Sequence, residues 1–155
     1  AEELITSSPL LAIFPGAKAM DVKTLVDAGP LIGWLNAGDQ WHDWSVAALE
    51  ARRGALHTTE IVLGEACYQL GGNSAPVQAL LTLVRDGGIV LHSLWPRHLA
   101  RTQILMAKFE PMDAADASLV VLGEQFPRAK LVTIDARHFN VYRRLKNEPI
   151  PVIAP

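Results

Sequence analysis

The sequence predicts an α/β fold, a three-layer α/β/α sandwich around a central, mainly parallel sheet of about five strands. Three observations predict it. Short apolar segments alternate with helical segments or helix pairs, the pattern that crossover connections in a parallel sheet produce. The chain has 155 residues, half of them apolar, enough for one domain with a full-sized core. Only 19% are charged, which argues against disorder over most of the length.

Residues 22–26 (VKTLV) read as a buried first strand ending at Asp27. Gly29-Pro30 opens a helix, with proline at a tolerated first-turn position, and Leu31, Ile32, Trp34 and Leu35 give it apolar faces. Asn36-Ala37-Gly38-Asp39 is a turn. Residues 41–53 form a second helix with Trp41, Trp44, Ala48 and Leu49 on one side, completing a helical hairpin. Residues 55–58 are a short strand. Thr59 caps a helix over residues 60–70, which Gly71-Gly72-Asn73 stops. Ser74 caps a further helix to about Arg85, and Asp86-Gly87-Gly88 turns into a strand at residues 89–91. Pro96 starts a helix running to about Phe109; Pro111 breaks it, and residues 113–125 are the next helix. Residues 130–134 have the clearest β character. Residues 150–153 read as an edge strand because prolines flank them.

Residues 1–19 are read as an N-terminal extension outside the fold, and residues 20–155 as the domain. Ala17-Lys18-Ala19 weakly resembles a signal cleavage site, but Glu2 and Glu3 stand where a signal needs basic residues. No apolar stretch approaches a membrane span. Cys67 is the only cysteine, so no intrachain disulfide is available, and the cytoplasm is the expected compartment. It lies in an apolar run and reads as a small buried hydrophobe. The 14 basic and 16 acidic residues leave a net charge of −2. That is not the footprint of a protein gripping nucleic acid by bulk charge; such a role would need a local basic patch or bridging metal ions.

Four acidic residues interrupt or end hydrophobic runs: Asp27 in TLVDAG, Glu65 in VLGEACYQL, Asp116 in AADASLVVL and Asp135 in LVTIDAR. A buried carboxylate is costly unless it is paired or bound to a metal, and no equally placed set of Lys or Arg accompanies these four. Asp27 and Asp135 end predicted strands, and the carboxyl ends of parallel strands are where ligands bind in open α/β sheets. Asp113 and Asp116 share one helix face, at the end of an apolar stripe continued by Leu119 and Val120. Each acid alone has a plain explanation. Asp27 and Asp135 suit turns or helix starts, Asp113 an N-cap with Asp116 in the first turn, and Glu65 a solvated stripe beside Gln69. Together they point to one cation site. All-oxygen ligands favour Mg²⁺ or Mn²⁺, one or two ions, and the five histidines form no close ligand pair for zinc.

The segments LVDAGPLIGWL, TTEIVLGEACYQL, PMDAADASLVVLGE and LVTIDARHFNVYR, in this order and spacing, resemble the PIN-domain ribonucleases, especially the VapC toxin type. The resemblance covers most of residues 21–155. It implies a metal-dependent hydrolase of RNA phosphodiester bonds. Its four main acids correspond to Asp27, Glu65, Asp116 and Asp135; Asp113 matches a more variable acidic position, and Thr133 a hydroxyl that lines the pocket. It also implies a homodimer and an antitoxin protein as partner. Asp27, Asp116 and Asp135 are the expected direct ligands, with Glu65 joining them or orienting the attacking water. Arg137 and His138, next to Asp135, are expected to meet the substrate, His138 as a proton donor. Phe139 and Tyr142 read as core anchors rather than bases' stacking partners, and Trp34, Trp41 and Trp44 as core or as a partner surface. The rival reading is a catalytically inactive PIN-like binding or assembly module. A phosphotransfer domain with an aspartyl nucleophile ranks last, because Asp27-Ala28-Gly29 lacks a second Asp two residues on.

Overall fold

Five strands, β1 (Thr24–Val26), β2 (Leu56–Thr59), β3 (Ile89–His92), β4 (Lys130–Val132) and β5 (Val152–Ile153), form one sheet in the order β3-β2-β1-β4-β5. Every neighbouring pair is parallel. The structure is a computed structural model that describes residues 21–155; the expected extension at residues 1–19 lies outside the described residues. Helices α1 (Ala28–Leu35) and α2 (His42–Glu50) follow β1, and α3 (Glu60–Leu70) and α4 (Ala75–Arg85) follow β2. Helices α5 (Leu99–Lys108) and α6 (Ala114–Gln125) follow β3, and α7 (Ala136–Phe139) follows β4. The chain steps from β1 through β2 to β3 in one direction and then crosses to β4 and β5 on the other side of β1. Right-handed crossovers running in opposite directions place their helices on opposite faces, which yields the three layers. The order reverses between β1 and β4, and a crevice opens at such a point.

Burial explains why these segments are so apolar. β1 is the central strand, covered on both faces, and Leu25 and Val26 have no exposed surface. Each contributes about 1.5–3 kcal/mol through burial. Helix α6 is buried almost all round, from Ala117 to Gly123, as a core helix must be to carry ASLVVLG without a polar stripe. The helical hairpin is close-packed at Gly33, where a Cβ would overlap the Ser45 hydroxyl. Trp34 and Trp44 pack against the core from half-buried positions, as does Cys67, which is therefore less enclosed than its sequence context implied.

The differences from expectation are local. Pro96 opens a turn, and α5 starts only at Leu99, because His98 has non-helical backbone angles. β5 is two residues long: Pro151 has no N–H for the ladder, although its carbonyl accepts from the Leu131 N–H at 2.8 Å. β4 stops at Val132 rather than Ile134, and the short helix α7 follows directly after Asp135. Two histidines sit inside the β2–β3 edge, with His57 Nδ1 and His92 Nε2 2.9 Å apart. Burial pushes His57 below its ordinary pKa; burial and then the neighbouring His57 push His92 down to about 4. Among the described residues no helix is long and apolar enough to cross a membrane.

Candidate active site

The ladder between β1 and β4 runs one residue past β1: the Asp27 N–H donates to Val132 O at 3.0 Å. This fixes Asp27 at the carboxyl rim, against the end of β4. There its Oδ1 accepts from the Ala28 N–H at 2.8 Å and caps α1. Its Oδ2 accepts from the Thr133 hydroxyl at 2.7 Å, and the Thr133 oxygen in turn accepts the Asp135 N–H at 3.0 Å. One hydroxyl therefore ties both strand-end acids together. Thr133 has no exposed surface: it lies beneath the carboxylates and holds them. Gly29 keeps the two walls close, since a Cβ there would lie 2.6 Å from Ile134 Cγ1.

The other acids arrive from α3 and α6. Thr59 caps α3 by accepting from the Val62 N–H at 3.2 Å, and its hydroxyl lies 2.8 Å from the Ser118 hydroxyl of α6. That buried contact pins the start of α3 to the first turns of α6. Asp113 caps α6, accepting the Asp116 N–H at 2.8 Å. The Tyr142 hydroxyl donates to Asp116 Oδ2 at 2.8 Å. Glu65 accepts from Gln69 Nε2 at 3.1 Å along α3.

The five carboxylates act on one another. Burial, opposed by the Thr133 and Ala28 hydrogen bonds and reinforced by Glu65 and Asp135, pushes Asp27 up to about 6. Burial raises Asp116 to about 7 against the donation from Tyr142, with Asp113, Asp27 and Asp135 adding to the rise. Burial, then Asp113 and Asp116, raise Glu65. The Tyr142 hydroxyl is raised in turn, by burial and by its bond to Asp116. All five acids thus share one region of negative potential. Among the described residues no Lys or Arg forms an ion pair with any of them; the one basic partner is His138, whose Nδ1 lies 2.6 Å from Asp135 Oδ2.

This donor set fits a hard divalent cation by chemistry: oxygen ligands only, surplus negative charge and two acids that are costly to ionise unaided. Among the described residues no three His, Cys, Asp or Glu side chains stand in metal-ligating geometry. The acids are gathered without being closed around a point. His138 donates from Nδ1, since a carboxylate only accepts, and its Nε2 is left for another partner. Its ring is partly exposed and stacks on Tyr142 with centroids 6.4 Å apart. Arg137 is exposed beside it. Phe139 and Tyr142 are both fully buried, as core anchors.

The family model of the PIN domain matches residues 24–148, most of the chain and all five acids. The chain belongs to the PIN domain family. Among solved structures, this PIN domain is similar to Mycobacterium tuberculosis VapC20, described as a sarcin-ricin loop cleaving toxin, with a TM-score of 0.64. The two are 14% identical, and the likeness covers 70% of this chain and 87% of the other, so it speaks for the fold. No curated protein matches the chain. Three supporting residues of this PIN domain had no role in the sequence reading of the site. Tyr142 was read only as a core anchor, and Thr59 only as a cap. Ser118 passed as part of an apolar run, though a lone hydroxyl two residues after Asp116 was the available signal.

Proposed function

We propose that this PIN domain is a Mg²⁺- or Mn²⁺-dependent endoribonuclease that hydrolyses RNA phosphodiester bonds, as a VapC-like toxin. The observation that carries the reading is the convergence of Asp27, Glu65, Asp113, Asp116 and Asp135 at one sheet rim, with no Lys or Arg paired to them among the described residues. Asp27, Asp116 and Asp135 would hold the metal, with Glu65 and Asp113 at its margin. A divalent ion at such a site supplies a Lewis acid for a phosphoryl oxygen and lowers the pKa of a bound water.

The chain's own groups do the rest. Thr133 and Tyr142 hold Asp27 and Asp116 in one orientation by donating to one oxygen of each, leaving the other lone pairs available. Glu65, partly exposed and raised in pKa, is placed to orient the attacking water and accept its proton. Asp135 accepts from His138 Nδ1 and fixes the ring, which leaves Nε2 to meet the leaving-group side of the phosphodiester. Arg137 meets the RNA backbone. A homodimer and an antitoxin protein complete the reading. Tyr68, 86% exposed and one turn from Glu65, offers such a partner an aromatic anchor beside the site.

The test is incubation with RNA and Mn²⁺ or Mg²⁺, with EDTA and Asp27→Asn as controls. Cleavage that both controls abolish supports the site. Cleavage that survives both removes it, and the absence of both cleavage and metal binding leaves the non-catalytic binding module.

A further inference from the structure

A second concave feature lies away from the carboxylates. It is a groove of about 780 Å³ at the opposite rim of the sheet, lined by Lys23, Arg52, Arg53, Arg128 and Lys130, with Phe126 as an apolar wall. Five of the chain's 14 Lys and Arg residues face this one groove, and Asp21 is its only acidic lining residue. The topology gathers them. Lys23 and Lys130 stand at the starts of β1 and β4, Arg52 and Arg53 precede β2, and Arg128 precedes β4. In an all-parallel sheet every strand start lies at one rim, so cations scattered along the sequence meet there.

Two of the five have partners. Lys23 pairs with Asp21 at 3.2 Å, both mostly exposed, and Arg52 Nε donates to Ala48 O at 3.2 Å at the end of α2. A helix C-terminus accounts for Arg52 in this way. It does not account for Arg53, Arg128 and Lys130, which have no carboxylate or side-chain hydrogen-bond partner among the described residues. Like charges held together in a concave surface focus a positive field and match a ligand with several anionic groups in a row. A net charge of −2 makes this concentration local rather than a by-product of a basic chain.

We propose that the groove binds the phosphodiester backbone of RNA, as a second contact surface separate from the carboxylate rim. The proposal rests on the ribonuclease reading for its choice of polyanion. Lys130 and Asp135 are five residues apart, so the rims are separated by about 16 Å of extended chain. A dinucleotide at the carboxylates does not reach the groove; a long or folded RNA does.

The experiment measures binding of a fluorescently labelled long oligouridylate in EDTA, where no cleavage occurs, across a salt series. Native full-length chain is compared with Arg53→Gln/Arg128→Gln, Arg53→Glu/Arg128→Glu and, as a second site pair, Arg53→Gln/Lys130→Gln, each checked for native-like thermal unfolding. Neutralising two phosphate contacts is expected to make the log–log salt slope shallower by about 1.4 for a single strand. Charge reversal is expected to weaken binding about tenfold or more. In Mn²⁺, cleavage of a dinucleotide should stay unchanged in these variants while KM for long RNA rises. Unchanged affinity and salt slope in all three variants overturn the proposal. Preferential binding of an oligoglutamate peptide, lost in the same variants, also overturns it and assigns the groove to an acidic protein segment. If no RNA is cut yet binding falls as expected, the groove stands and the nuclease reading fails. If RNA is cut while the variants bind as the native chain does, the groove alone fails.

Discussion

Thr133 and Asp27 are 106 residues apart in sequence, yet the Thr133 hydroxyl donates to Asp27 Oδ2 at 2.7 Å and accepts the Asp135 N–H at 3.0 Å. The contact lies in the core, with no exposed surface on the threonine. It makes the spacing of the two strand-end acids a property of one buried hydroxyl. Thr133→Val removes a donor and an acceptor while keeping the shape. The expected cost is about 1–3 kcal/mol in urea denaturation, because the buried Asp27 carboxylate loses its donor and the part-buried Asp135 N–H its acceptor. Thr133→Ser should restore most of it. Equal stability of the Val variant and the native chain would contradict the arrangement.

Tyr142→Phe separates support from packing. The ring stays in place against Phe109 and Phe139, with centroids 5.6 and 5.3 Å away, so the fold should survive. The bond to Asp116 is lost, and with it the one hydrogen bond that opposes the rise in its pKa. Mn²⁺ affinity by calorimetry should fall about 10-fold or more, the usual effect of removing a group that orients a ligand. A purely structural tyrosine would leave that affinity unmoved and change the melting temperature alone.

Metal should stabilise the chain. Saturation to about 100 times Kd adds about 2.7 kcal/mol, or roughly 5–10 °C in Tm for a domain of this size. EDTA should reverse the gain, and Asp27→Asn should abolish it. In EDTA, Asp27→Asn should be at least as stable as the native chain at pH 7. Asp27 is buried with its pKa at about 6 against an ordinary 3.8, so its ionised form there opposes folding.

Two opposed pH effects follow. Asp27 and Asp116 have raised pKa values in the folded chain. The folded state therefore holds protons that the unfolded chain releases, and metal-free stability from these groups falls as pH rises from about 4 to about 7. His57 and His92 have lowered values, His92 at about 4 against an ordinary 6.5. Here the unfolded chain takes up protons that the folded pair refuses, so stability falls as pH drops from about 6.5 towards 4. His92→Leu should flatten the acid limb of a stability–pH curve measured in EDTA; an acid limb as steep as the native one would exclude the pair as its source.

Most of the element order was legible because its signals are local. Thr59 and Ser74 cap the helices expected of them, and Gly71 ends α3. Asp27 and Asp135 were visible as acids at the ends of apolar runs, and the parallel sheet carries both to one rim. Capping a helix and acting on a neighbouring acid do not compete at Asp27, Asp113 and Asp135: each does both. Less legible was whatever depends on side-chain depth. Sequence does not reveal that the Thr133 hydroxyl points inward to Asp27. Tyr142 could be seen as apolar packing but not as a donor to Asp116, and the cations at positions 23, 52, 53, 128 and 130 become neighbours only once the strand order is known.

Gly29 has a consequence for ion choice. Its missing side chain lets the first turn of α1 press on Ile134, where any Cβ would meet Cγ1 at 2.6 Å. Gly29 and Ile134 adjoin the strand-end acids Asp27 and Asp135, so a steric stop, present before any ligand arrives, sets how closely the two walls of the crevice approach. Such a stop works as a calliper. It favours a small octahedral ion over Ca²⁺, which takes more oxygens at longer distances. Gly29→Ala should loosen the calliper, narrowing the preference for Mg²⁺ over Ca²⁺ without removing a single ligand.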